Sequence, residues 1–264
     1  MNCSANFWKN GEESKSDSLI DHSIERGANN AKGTGFQTDR DICRRSCFFR
    51  QGCKMRLAVR RPRDKGNIDM TEKEKMLQQK LYDANNDAEL AKERVRCKKL
   101  CQEYNSLPIE DLDRRHALLK TILGESGENV HIEPDFWCDY GYRMKVGDNF
   151  YANHGLVVLD GGGVRFGCNV FIAPSCGFHT AGHPIDSERR NQGFEYAYPI
   201  VVGDNVWIGA GVQVMPGVTI GSNVVIGGGS VVVKDIPSDS VAVGNPCKVI
   251  RRITEEDVKK NWDK

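Results

Sequence analysis

No stretch of the 264-residue chain is apolar for long enough to cross a bilayer, which excludes a membrane-spanning helix. Excess charge of one sign is missing too. A net charge of +1 gives no reason to expect nucleic acid or an anionic membrane as the main partner. Residues 1–30 lack the apolar core of a secretory signal, so a soluble, cytoplasmic protein is expected. The ten cysteines contain no C-x2-C pair, and no structural zinc site of that spacing is expected. Cys43, Cys47 and Cys53 make a partial cluster, and Cys97 and Cys101 fall one turn apart on an expected helix. Free thiols in a reducing compartment is the reading preferred for all of them. Residues 1–69 also lack any sustained period. They are polar, then basic from Arg40 to Arg63, and are expected to be a disordered, dispensable extension. Met70 opens a stretch, MTEKEKMLQQKLYDAN, that reads as a bacterial-type N-terminus.

Residues 70–128 carry helical spacing. Leu77, Leu81, Ala84, Ala88, Ala91 and Val95 recur at steps of four and three, which predicts one amphipathic face, extended by Leu100 and Tyr104. Ser106-Leu-Pro108 breaks the pattern. A second helix follows with Ile109, Leu112, Leu119 and Ile122, and Gly124 is the expected stop. Two such helices must pack on each other and on something else.

Residues 129–250 repeat every six positions. Val202, Ile208, Val214, Ile220, Ile226 and Val232 form one row; Ile200, Val206, Val212, Val218 and Val224 form a second. Glycine directly follows several members of the first row, as at Gly203, Gly209, Gly221 and Gly227. Earlier copies appear around Val146 and around Phe166, Ile172 and Phe178, with Gly161–Gly163 inserted between them. A period of six fits neither a helix nor a long alternating strand. It fits a short extended segment and a tight corner, repeated, with branched residues on flat faces and Gly or Asn at corners of positive φ. Stacked coils of three such units would share an interior column, the hexapeptide parallel β-helix. Residues 251–264 read as a tail with a short helix, opened by the Thr254–Asp257 capping pattern.

Six segments in this order resemble the maltose and galactoside O-acetyltransferases. They are CDYGY (138–142), NFYAN (149–153), APSCGFHTAGHPID (173–186), RNQGFEYAYPIVVGDNVWIGAGV (190–212), PGVTIGSNVVIGGGSVVVKDIP (216–237) and GNPCKVIR (244–251). The resemblance covers roughly residues 70–252. It implies a left-handed β-helix preceded by a small helical segment, acetyl-CoA as acyl donor, no metal, and a homotrimer with active sites between subunits. A sugar hydroxyl is the implied acceptor.

Acyl transfer from a thioester to an alcohol needs a base for the hydroxyl proton, stabilisation of the oxyanion and a held carrier. His183 lies in a segment, 179–199, that interrupts the repeat, and a neutral imidazole suits the task near pH 7. The resemblance implies that Glu195 orients it or touches the acceptor, and that Asn153 sits near the reacting centre. It implies acceptor contacts from Asp139 and, at the helical segment, from Tyr82 and Asp83. Ala173, Ala210 and Gly228 would line the pantetheine path, with Val233 and Lys234 at its far end. Lys248, Arg251 and Arg252 would meet phosphates, and Trp207 would cover part of this site. Two positions depart from the galactoside enzymes: Ala210 has no hydroxyl, so only its N–H could bind an oxyanion, and Gly161 stands where a second Asp can occur. Both point towards a glucose- or maltose-like acceptor. Two other readings stay open: a zinc-dependent carbonic anhydrase using His154, His179 and His183, and a non-catalytic scaffold on the same fold.

Overall fold

A computed structural model of the chain describes residues 70–260. The readings made for residues 1–69, including Cys43, Cys47 and Cys53, lie outside the described residues. Most of the described chain is a parallel β-solenoid of about six turns, the architecture expected of left-handed hexapeptide coils. No described helix is long and apolar enough to cross a membrane.

Three parallel sheets form the faces. One stacks Glu125–Ser126, Met144–Val146, Val164–Phe166, Ile200–Val202 and Thr219–Ile220. A second stacks His131–Ile132, Tyr151–Ala152, Val170–Ile172, Val206–Ile208, Val224–Ile226 and Ser240–Val243, and ends on antiparallel Lys248–Arg252. The third stacks Trp137–Cys138, Val157–Leu159, Gly177–His179, Gln213–Val214 and Val231–Val232. In a strand such as Val206-Trp207-Ile208 the outer two side chains are buried and the middle one faces out. Both rows of branched residues therefore point into the column. From Ile200 to Val232 every member is 2% exposed or less. Each such side chain contributes about 1.5–3 kcal/mol by leaving water, so stability accumulates coil by coil.

Coil length explains why the early repeats looked shifted. Val202 pairs with Ile220, a turn of eighteen residues, whereas Val146 pairs with Phe166, a turn of twenty. One corner carries Asn129, Asn149, Asn169, Asn205, Asn223 and Asp239, all at φ between 55 and 58°. Their side chains hydrogen-bond up the corner, Asn129 to Asn149, Asn149 to Asn169 and Asn169 to Asn205 at 3.0 Å each. Asn tolerates this backbone region because its short polar group bonds locally.

The glycines after the first row have a different cause from the one expected. Gly203 does not adopt positive φ; a Cβ there would lie 2.7 Å from the Ser222 backbone nitrogen, one coil on. It allows close stacking. Gly203→Ala is accordingly expected to cost about 1–3 kcal/mol through overpacking, read as a lower thermal midpoint. An unchanged midpoint would show that the coils have room.

The helical segment departs from expectation. Instead of one long first helix there is α1 (Glu72–Leu77), a short strand Tyr82–Asp83, then α2 (Ala88–Ser106) and α3 (Leu112–Ile122). Thr71 closes a capping box on Glu74, and Asp87 and Asp111 cap α2 and α3. Gln79 turns the chain at φ 57°, which ends the helical run that the spacing predicted through Leu81 and Ala84. Leu77 and Val95 are consequently 43% and 55% exposed, and the buried face of α2 is Leu90, Cys97, Cys101 and Tyr104. This face closes one end of the coil. Asn105 exchanges two hydrogen bonds with the Phe136 backbone, at 2.9 and 3.0 Å, and Tyr104 meets Phe136 edge-on. Ile109 and Leu112 are exposed, while Leu119 and Ile122 join the core. Gly124 does not stop α3 in a left-handed conformation. Leu123 is the cap, and Gly124 passes so close to Tyr142 that a Cβ would meet its carbonyl oxygen at 2.1 Å. At the other end α4 (Ser187–Asn191) lies in the interrupting segment and α5 (Glu255–Lys259) follows the last strand.

Candidate active site

The interrupting segment leaves the coil after His179 and returns at Ile200. It is pinched where the Tyr198 N–H donates to the Thr180 carbonyl at 2.9 Å. Beyond that point Ala181–Gly182 pairs antiparallel with Phe194–Ala197, which pairs in turn with Tyr82–Asp83. The helical segment and the excursion thus share a three-stranded sheet. Tyr82 stands opposite Glu195, and His183 follows directly on the Gly182 strand.

His183 Nδ1 lies 2.9 Å from the Phe194 carbonyl oxygen. A carbonyl only accepts, so this nitrogen carries the hydrogen, and the neutral ring presents an open lone pair at Nε2. Nε2 is 3.9 Å from Glu195 Oε1. That is too long for a hydrogen bond but close enough for the carboxylate to stabilise an imidazolium as it forms. Glu195 is itself fixed by the Tyr82 hydroxyl, which donates to Oε2 at 3.1 Å. Burial raises the Glu195 carboxyl above its ordinary value, against the lowering effect of Tyr82 and His183. The Tyr82 phenol is also raised, chiefly by burial and then by the Glu195 charge, so it stays a donor.

Asp139 lies near enough to Glu195 and Arg94 for their charges to act on one another. Burial raises its carboxyl, while Lys98 and Arg94 pull it back. Its backbone N–H and that of Tyr140 both donate to Asp160 Oδ1, at 3.1 and 2.8 Å. Arg94 ties the floor together, donating to the Tyr140 hydroxyl at 2.8 Å and to the Ala84 carbonyl at 2.5 Å. Asp83 is occupied locally, accepting from Asn86, and its N–H donates to Glu72 at 2.6 Å. Gly161 borders the same cluster: a Cβ there would stand 3.4 Å from the Tyr82 hydroxyl.

Asp160 is fully buried and its Oδ2 has no partner among the described residues. Burial pushes its carboxyl from 3.8 up to about 6. The folded chain therefore binds this proton more tightly than the unfolded chain. Stability from this group is fully present below pH 3.8 and is lost as pH rises through about 6. Asp160→Asn keeps the Oδ1 acceptor and removes the buried charge. Its thermal midpoint is expected to fall less than the parent's between pH 4 and 6. Parallel profiles would show that folding does not shift the Asp160 carboxyl.

The remaining expected residues form a second group. Asn153 and Ala173 line a cavity of about 330 Å³ with Tyr151, Phe171, Ile172 and Trp207. Asn153 Oδ1 accepts from the His154 N–H at 2.8 Å, and among the described residues no hydrogen bond joins it to the His183 cluster. Trp207 is 57% exposed and stands between outward-facing Phe171 and Val225. Ala210 and Gly228 are stacked neighbours, close enough that a Cβ on Gly228 would lie 3.1 Å from the Ala210 oxygen. The Ala210 carbonyl accepts from Gly229, but its N–H donates to no described residue. Val233 and Lys234 are exposed beside the strand Val231–Val232. Lys248 and Arg252 are exposed on the last strand. Arg251 is gripped by both oxygens of Asp257, at 2.7 and 2.8 Å, which commits most of its fork away from a phosphate.

The three histidines of the zinc reading hold separate partners in the chain: His154 the Pro134 carbonyl, His179 the Gln213 side chain, His183 the Phe194 carbonyl. Among the described residues the one three-member group with ligating atoms close together is Cys97, Cys101 and Cys138.

Comparison with known proteins decides the family. Residues 75–127 match the maltose acetyltransferase hexapeptide capping motif, and residues 199–234 match the bacterial transferase hexapeptide repeats. The Saccharomyces cerevisiae protein named "Putative acetyltransferase YJL218W" is 56% identical over 177 residues, which cover 67% of this chain and 90% of that one. The chain belongs to the maltose/galactoside O-acetyltransferase family. A solved maltose O-acetyltransferase from Clostridium difficile 630 is 51% identical, with a TM-score of 0.69 over 70% of this chain and 98% of that one. A galactoside acetyltransferase solved with coenzyme A is 41% identical, with a TM-score of 0.71 over 74% and 97%. The chain is an acyltransferase, and the capping-motif match falls on the helical segment that supplies Tyr82, Asp83 and Arg94.

Sequence reasoning missed Arg94 and Asp160. Arg94 lies among many charged residues on α2 and nothing in its spacing marks it. Asp160 precedes a glycine run, and its signal was that adjacency alone.

Proposed function

We propose that the chain transfers the acetyl group of acetyl-CoA to a hydroxyl of a maltose- or glucose-like sugar, in the cytoplasm, as a homotrimer. The observation that carries this reading is the His183 arrangement: Nδ1 pinned to a carbonyl, Nε2 open, and a half-buried carboxylate 3.9 Å away. His183 removes the acceptor proton as the oxygen attacks the thioester carbonyl, and passes it to the leaving sulfur. Glu195 holds the developing imidazolium and, with Asp139 and Asp83, meets sugar hydroxyls. The free N–H of Ala210 receives the oxyanion. Pantetheine runs past Ala173, Ala210 and Gly228, where small side chains admit it, towards Val233, Lys234, Lys248 and what remains of the Arg251 fork. No metal takes part in these steps.

Asn153 belongs to the same reaction across a subunit boundary. The outward stripe of Tyr151, Phe171 and Trp207 is aromatic and in register, with Phe171 50% exposed. A second copy laid against it would bring its own excursion, with His183 and Glu195, over Asn153 and Ala173. Closed threefold packing suits a prism.

The test is acetyl-CoA turnover against a panel of hydroxyl compounds, followed by release of free thiol. Turnover with maltose or glucose, faster than with a galactoside, is the expected result. Acceptor-independent thiol release alone, or none with any alcohol, would remove the sugar reading. A monomer by hydrodynamic size would remove the shared site.

A further inference from the structure

The cluster of Cys97, Cys101 and Cys138 includes the residue directly before Asp139, and nothing in the reaction just described uses it. Cys97 Sγ is 3.5 Å from Cys138 Sγ, and Cys101 Sγ is 3.7 Å from it. All three sulfurs fall within 4.8 Å of one another and all three residues are buried. Two come from successive turns of α2 and the third from the coil strand beneath, so the helix–coil interface itself holds them together.

We propose that Cys97, Cys101 and Cys138 form a three-thiol site for a trivalent thiophilic centre of the arsenite type. Ligand number favours this over zinc. Sulfur pairs of 3.5 and 3.7 Å are short enough for one central atom to bridge. Structural zinc takes four ligands, and among the described residues no fourth ligating side chain joins the three. Charge points the same way. A divalent ion on three thiolates leaves a net negative charge in a buried site, which is costly, while a trivalent centre leaves none. The unpartnered oxygen of nearby Asp160 adds to that cost.

The reaction balances without an oxidant. Arsenous acid, As(OH)₃, meets three S–H groups; three As–O and three S–H bonds break, three As–S bonds form, and three waters leave. No electrons change hands. A cavity of about 310 Å³, lined by Glu93, Arg96, Tyr140 and Tyr142, borders Cys97.

The test uses the full reduced chain and arsenite alone. Native mass spectrometry is expected to show one arsenic gained and three hydrogens lost per chain, with a new near-ultraviolet sulfur–arsenic absorption and a raised thermal midpoint. Cys97→Ala, Cys101→Ala and Cys138→Ala are each expected to abolish that adduct. Combined Cys43→Ala, Cys47→Ala and Cys53→Ala is expected to retain it, which keeps the proposal testable if a core variant fails to fold. No adduct, an adduct that loses two hydrogens, or an adduct that disappears in the Cys43/Cys47/Cys53 variant would each overturn it.

Discussion

His183→Ala is expected to lower kcat for acetyl transfer by about 10²–10⁴, the range for removing a positioned general base. The Michaelis constant for acetyl-CoA should hardly change, because the proposed carrier path lies on the small residues of the coil and not on the imidazole. The expectation comes from one hydrogen bond. With Nδ1 donating to the Phe194 carbonyl, the ring can take a proton only at Nε2, the nitrogen that faces Glu195. Glu195→Gln separates base from stabiliser. It keeps an oxygen for the Tyr82 hydroxyl but removes the charge that holds the imidazolium, so its loss of kcat should be smaller than that of His183→Ala. Steady-state kinetics of both variants, with each matched in size to the parent, checks the assignment. If His183→Ala turned over at the parent rate, the base would lie elsewhere. If Glu195→Gln lost more than His183→Ala, Glu195 itself would be the proton acceptor.

Much of this site was legible in the sequence because a solenoid converts spacing directly into geometry. Once Val202, Ile208 and Val214 are recognised as one row, every sixth side chain has a fixed direction, and any interruption of the count marks a projection. The segment from 179 to 199 stood out for that reason, and the family resemblance singled out His183 within it. The helical segment was harder. Spacing predicted one helix through Leu81 and Ala84, but a non-glycine residue at positive φ, Gln79, ends it, and the freed strand is recruited by Glu195 more than a hundred residues away. Nothing local to Tyr82 announces that pairing. The buried face of α2 was partly hidden for a different reason: between Leu90 and Tyr104 it is made of Cys97 and Cys101, which a search for aliphatic periodicity passes over. Asp160 and Arg94 act on neighbours brought together by folding. A single buried carboxylate holding two backbone N–H groups leaves no pattern along the chain.

Ala210→Pro is expected to reduce kcat by about 10²–10³, the usual loss when one oxyanion donor is removed. Position 210 follows the strand Val206–Ile208 and lies in the turn, so proline there breaks no ladder bond; the carbonyl that accepts from Gly229 is retained. What disappears is an N–H that no described residue uses. Ala173, its neighbour along the proposed carrier path, already donates to Ile208 and has nothing to offer an oxyanion. Ala210→Ser gives the opposite comparison. It leaves the N–H in place and adds a hydroxyl, so its kcat should match or exceed the parent's. Loss in the proline variant alone, with an unchanged thermal midpoint and an unchanged Michaelis constant for acetyl-CoA, assigns the backbone amide to the transition state, because ground-state binding is untouched. Equal rates for Ala210→Pro and the parent would mean that the tetrahedral oxygen is held by another donor.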